Sequence, residues 1–206
     1  MRKENKYSVT RTAGERVILG IDPGTNIMGY GIIKVSGINA VFLDMDVLIL
    51  KKIPDHFFKL KNIFEETIRI IETFKPDEVA LEAPFYGKNV QSMLKLGRAQ
   101  GIAMAAALHR NLPVFEYAPR KVKQSITGNG TSTKEQVAIM LQRILSIKST
   151  NTLLDATDAL AVAICHHFNS NSVLPQKRNY KTKIRGTQPR YNSWESFVTA
   201  NIERVR

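Results

Sequence analysis

Residues 18–33 read ILGIDPGTNIMGYGII, two apolar runs joined by a turn, with the carboxylate of Asp22 placed where the first run stops. Pro23 presets φ and Gly24 accepts the conformations that a tight reversal needs. The pattern predicts two short antiparallel strands, over 17–21 and 29–35. Residues 40–50, AVFLDMDVLIL, alternate well enough to add a third strand and complete a meander. Asp22 therefore lies at a sheet edge, either as a turn former or as a ligand, and turn chemistry alone leaves both readings open.

Beyond the meander, Phe57, Leu60, Ile63, Phe64, Ile68 and Ile71 fall at helical spacing within residues 56–74, and Lys75-Pro76 stops the helix. The run DEVALE, 77–82, is strand-like and follows a helical crossover, so it is expected to lie parallel to an earlier strand. A helix rich in small residues spans 89–110, VFEY at 114–117 is a fifth strand, and two more helices cover 133–147 and 153–168. This order predicts an α/β domain over 17–169, with a mixed five-stranded sheet flanked by helices. Residues 1–16 form an N-terminal extension. From 170 to 206 the composition turns to Asn, Ser, Lys, Arg and Pro, which reads as a flexible basic C-terminal extension. Trp194, Phe197, Ile202 and Val205 near its end are loosely helical in spacing.

The chain has 206 residues, 43% of them apolar, enough for one hydrophobic core. Its single cysteine, Cys165, cannot form an intramolecular disulfide, and no run approaches the roughly 20 apolar residues of a membrane span. The expectation is a soluble, cytoplasmic protein with no membrane partner. Net charge is +12 and unevenly spread: +3 over 1–16, −3 over 17–87, +8 over 88–148, −2 over 149–169 and +6 over 170–206. Basic stretches around acidic ones suit a polyanion whose chemistry takes place at a cation-filled acidic pocket. A merely basic soluble protein would carry the same total.

Both acidic segments hold carboxylates in suggestive places. Glu82 ends the apolar run VALE just before Ala83-Pro84, the same arrangement as Asp22. If the two strands lie side by side and parallel, both side chains emerge at one edge of the sheet. In LLDATDALAVAICHHF, Asp155 and Asp158 stand three apart, about 60° from each other on one helix face. A solvated strand end would explain Glu82 equally well, and an N-cap would explain Asp155. The rest of that helix is small and apolar, however, so it is expected to be buried, and buried carboxylates need compensation. No Lys or Arg lies between Lys148 and Lys177 to supply it locally. Hard divalent cations would, and oxygen-only ligation favours Mg²⁺ or Mn²⁺. Two such ions about 4 Å apart suit phosphodiester hydrolysis. His166 and His167 read as helix-end residues outside the site.

Taken together, ILGIDPGTNIMGYGII, LEAPFYGKNVQSMLKLGRAQGIA, PVFEYAPRKVKQSITGNG and DATDALAVAICHHF resemble, in order, four blocks of the RuvC family of bacterial Holliday junction endonucleases, which have the ribonuclease H-like fold. The resemblance runs from about Val17 to Asn169. It implies a Mg²⁺-dependent homodimer with two ions per site that makes paired symmetric nicks in a four-way DNA junction, in recombination and repair, alongside a branch-migration helicase complex. Asp22, Glu82, Asp155 and Asp158 fall on the family's acidic positions. Phe85 falls on an aromatic that stacks on bases at the opened junction, and Lys123 and Lys134 fall on basic positions near the scissile phosphate. Lys88, Lys95, Arg98, Arg120 and Lys121 are DNA-binding candidates from charge alone. The small-residue helix is consistent with a dimer interface or with tight packing on the sheet. Residues 1–16 make a longer lead than is usual in the family, the extension after about 170 is expected to lack a family counterpart, and removing 171–206 is expected to weaken junction binding and its salt dependence while sparing cleavage. Two other readings are a phosphotransferase of the actin and hexokinase type and a noncatalytic junction binder. The first lacks its later glycine-rich loops here.

Overall fold

The computed structural model describes residues 14–84, 89–147 and 154–172, together with Ser193 and Thr199. The chain divides into two compact units, Met1–Val173 and Leu174–Arg206. The terminal aromatic cluster of the basic extension lies outside the described residues.

Strands β1 (Glu15–Asp22), β2 (Ile27–Ser36) and β3 (Asn39–Ile49) form the expected meander, antiparallel throughout. Helix α1 (His56–Phe74) leads to β4 (Glu78–Glu82), which pairs parallel with β1 in the register Ile18↔Glu78 to Ile21↔Leu81. Helix α2 (Val90–His109) leads to β5 (Val114–Tyr117), parallel to β4. The mixed five-stranded sheet has the order β3-β2-β1-β4-β5. A helix that the sequence pattern did not predict follows, α3 (Pro119–Thr127), with Pro119 in its first turn and Gly128 at φ 77° closing it. Then come α4 (Lys134–Leu145), opened by a capping box between Thr133 and Gln136, and α5 (Leu154–Ser172). Helix α5 runs four residues beyond its expected end, which places His166 and His167 inside it, 1% and 0% exposed, and not at its end.

Alternation along the strands divides the core in two. Leu19, Ile21, Val79 and Leu81 pack toward α1 and α2, whereas Ile18, Ile33 and Ala80 pack toward α3, α4 and α5. Helix α5 lies close to the sheet because three strand positions that face it, Gly20, Gly29 and Gly31, lack a side chain. A Cβ on Gly20 would stand 2.1 Å from the Ala159 carbonyl oxygen, and one on Gly29 would stand 2.1 Å from that of Asp155. Close approach brings the acidic end of α5 down onto the end of β1.

Candidate active site

The parallel register sets Asp22 and Glu82 next to each other at the ends of β1 and β4, and the first turns of α5 bring Asp155 and Asp158 over them. Carboxylate oxygens of Asp22, Asp155 and Asp158 lie within 4.8 Å of one another. Glu82 stands outside that triplet, but it lines the same cleft of about 320 Å³ with Asp22 and Asp158. Burial is the main reason that Asp22 is pushed up to about 8, and the charges of Glu82, Asp158 and Asp155 add to it. The Glu82 carboxyl is also raised, first by burial and then by Asp158, against a hydrogen bond with Asp22 and the fields of Lys134 and Lys123. This is an undercompensated all-oxygen cluster, the donor set that a hard divalent cation neutralises.

Partial compensation comes from a residue far off in the chain. Lys134, at the start of α4, forms an ion pair with Asp158. Burial lowers its ammonium and the contacts with Asp158 outweigh that, leaving it above the usual lysine value. The expectation that no lysine or arginine neutralises this helix holds only locally, because α4 packs beside α5 and delivers the cation across the fold. Lys123, on α3, lines the cleft as well.

The remaining basic candidates divide. Lys95 and Arg98 are exposed on α2. Arg120 lies against Gly130, and the Lys121 ammonium stands 5.5 Å from the Tyr117 ring centroid. None of these four lines the cleft. Phe85 and Lys88 lie outside the described residues.

The sequence reading passed over two groups. Gln100, 5% exposed on α2, reaches into the cleft, donating to Glu116 Oε1 at 2.5 Å and to the Glu82 carbonyl oxygen at 3.4 Å. A glutamine in a helix full of alanines was the available signal. The second group is a buried relay on the same sheet face. Tyr117 Oη is 2.7 Å from His166 Nδ1, and His166 Nε2 donates to Glu78 Oε2 at 2.9 Å. Arg16 completes it, its Nη1 donating to both Glu78 carboxylate oxygens at 3.0 and 3.1 Å.

A family model described as Crossover junction endodeoxyribonuclease RuvC matches residues 18–166. The chain belongs to the RuvC family. RuvC of Christiangramia forsetii is 52% identical over 206 residues, covering 100% of both chains, and RuvC of Bacteroides fragilis is 50% identical over 194 residues, covering 93% of this chain and 97% of its own. A solved structure, T. thermophilus RuvC in complex with Holliday junction substrate, is 31% identical with a TM-score of 0.72, covering 76% of this chain and 96% of that one. As a RuvC-family crossover junction endodeoxyribonuclease the chain is a nuclease, which sets aside the phosphotransferase reading. The expectation that the extension after about 170 lacks a counterpart is also corrected, since the match to C. forsetii RuvC runs the length of both chains.

Proposed function

We propose that this nuclease resolves Holliday junctions by paired symmetric nicks, with Asp22, Glu82, Asp155 and Asp158 holding two Mg²⁺ ions for which Mn²⁺ substitutes. The single observation that carries the reading is the convergence of these four side chains from two strand ends and one helix onto one cleft edge. Their donors are all oxygen and their mutual repulsion is only partly relieved by Lys134, so the residues present fit the ions. Bound there, the ions supply Lewis acidity to the attacking and leaving oxygens of a phosphodiester. The protein's own part is to hold four carboxylates rigidly at the end of a buried sheet. Lys123, which lines the cleft, and Lys134, paired with Asp158 beside the carboxylates, orient the phosphate by charge, and Gln100 fixes the backbone that carries Glu82. Phe85 stacks on a base freed at the branch point.

The working unit is a homodimer whose two-fold axis matches that of the junction. Supporting this, α2 presents Val90, Leu94 and Leu108, each more than half exposed, with open space beside Gly97 and Gly101. The basic extension after residue 170 adds nonspecific affinity, and the protein acts in the cytoplasm on junctions handled by a branch-migration helicase. Among the described residues no helix is long and apolar enough to cross a membrane.

The test is cleavage of a mobile four-way junction with Mg²⁺, comparing the native protein, Asp22→Asn and a linear duplex control. Paired nicks on the junction alone, lost in Asp22→Asn while binding persists, support the reading. Binding without cleavage across metals and junction sequences would overturn it.

A further inference from the structure

The connection from β3 into α1 carries the sequence KKIPDHFFKLK, residues 51–61, and none of the chemistry above uses it. Phe57 and Phe58 open α1 with 75% and 61% of their surface in solvent, and Ile49 at the end of β3 is 51% exposed. Single exposed apolar residues are ordinary, but two consecutive phenylalanines at these exposures, about 100° apart around the helix, leave aromatic surface on neighbouring faces that packing of the described residues does not use.

Positive charge predominates around that surface, four lysines to one acid over residues 51–61. Lys51 and Lys52 are exposed in the turn just before it, with no partner among the described residues. Asp55, the nearest acid, caps the helix by accepting from the Phe58 N–H at 2.9 Å, and the first turn of α1 contains no other acidic residue. Lys61 is shared with Glu65 at 3.7 Å. Aromatic faces among unpaired lysines fit a nucleic-acid strand, whose bases stack while its phosphates meet the ammonium groups.

The patch is also tied to the catalytic edge. The Lys59 ammonium donates to the Thr25 carbonyl oxygen at 3.0 Å, and the Leu50 N–H donates to that of Asn26 at 2.8 Å. Thr25 is three residues after Asp22, no more than about 11 Å of chain. The turn that begins with Asp22 thus rests on the segment that presents the phenylalanines, and α1 packs on the sheet face opposite the helices that carry Lys123 and Lys134.

We propose that Phe57 and Phe58, with Lys51 and Lys52, form a second DNA contact that stacks unpaired bases near the branch point and holds the flanking phosphates. This rests on the junction reading above.

The experiment uses the full-length protein in EDTA with a four-way junction carrying 2-aminopurine beside the branch point, read by fluorescence and by anisotropy titrations across salt. Phe57→Ala/Phe58→Ala is expected to weaken junction binding about 10-fold and reduce the fluorescence change, with duplex binding unaltered and the same oligomeric state by sedimentation. Trp at both positions restores binding and Leu does not. Lys51→Ala/Lys52→Ala is expected to lower the slope of log K against log salt by about 2. Unchanged affinity and salt slope in a protein that still binds and cleaves would overturn this proposal and leave the junction reading intact. If the native protein neither binds nor cleaves the junction, the junction reading itself fails. A phenylalanine variant that becomes monomeric would assign the patch to a second copy of this chain, and full rescue by Leu would make it a plain apolar contact; either overturns the proposal. Should the alanine variant lose thermal stability, the lysine variant, which leaves both rings in place, decides alone.

Discussion

Glu78 and Glu82 stand four residues apart on β4, on the same face of the sheet and under the same helix, yet their surroundings are opposite. At the beginning of the strand, burial pushes the Glu78 carboxyl up, but hydrogen bonds and charge from His166 and Arg16 outweigh it and hold the group below its ordinary value. At the end of the strand, burial pushes Glu82 up and the strongest neighbouring charge is another carboxylate, Asp158. The first acid is satisfied by the protein and serves the fold. The second is left undercompensated, a condition that costs stability and is retained where a cation is to be bound.

This contrast can be broken or sharpened by substitution, beginning with the largest effect. Asp22→Asn should lower junction cleavage by at least about 1,000-fold while raising the melting temperature of the metal-free protein by about 3 °C or more, because it removes a proposed ligand together with the cost of holding a proton that the unfolded chain releases. Cleavage assays and thermal unfolding in EDTA check both halves; a fall in melting temperature would show that the cluster is already neutralised. Gly29→Ala comes next. Its Cβ would collide with the Asp155 carbonyl oxygen, so the acidic end of α5 should lift, lowering cleavage about 100-fold and stability by about 2 kcal/mol, with the His166 end of the helix unchanged by NMR.

Glu78→Ala should behave in reverse to Asp22→Asn, costing about 2–3 kcal/mol in chemical denaturation while cleavage under folded conditions stays within about threefold. The smallest effect is on pH dependence without metal. Asp22 is raised to about 8 in the folded protein from 3.8, so the native state retains a proton that the unfolded chain releases, and this group makes stability fall as pH rises from about 4 to 8. Glu78, depressed in the folded protein, contributes stability that is present above its unfolded value of 4.5 and is lost as pH falls through its lower native value. Unfolding titrations should therefore show the slope between pH 4 and 8 flattened in Asp22→Asn, and the loss in acid flattened in Glu78→Gln.

Much of the fold was legible because its signals are local. The turn at Pro23-Gly24, the stop at Lys75-Pro76 and the alternation in residues 40–50 each depend on a few neighbouring residues, and the elements they mark are found within a few positions of where they were expected. Helix α3 escaped despite its Pro119 and Gly128 because only Val122 and Ile126 of its nine residues are buried, too few to register as a period. The four carboxylates could be nominated from strand ends and helix spacing, as could Lys123 and Lys134 from the family pattern.

What the linear chain determined about this protein is its element order, its charge distribution and the residue types at the ends of its strands. Tertiary structure alone decided which charges meet. Lys134 reaches Asp158 across 24 positions, His166 reaches Glu78 across 88, and Gln100 reaches Glu116 across 16, none of them at a spacing that a helix or strand repeats. The physical reason is that side-chain periodicity reports only which face of its own element a residue occupies. Whether a buried acid such as Glu78 finds a partner, or one such as Glu82 is left undercompensated, depends on how closely another element approaches, and here glycines at positions 20, 29 and 31 permit the approach of α5.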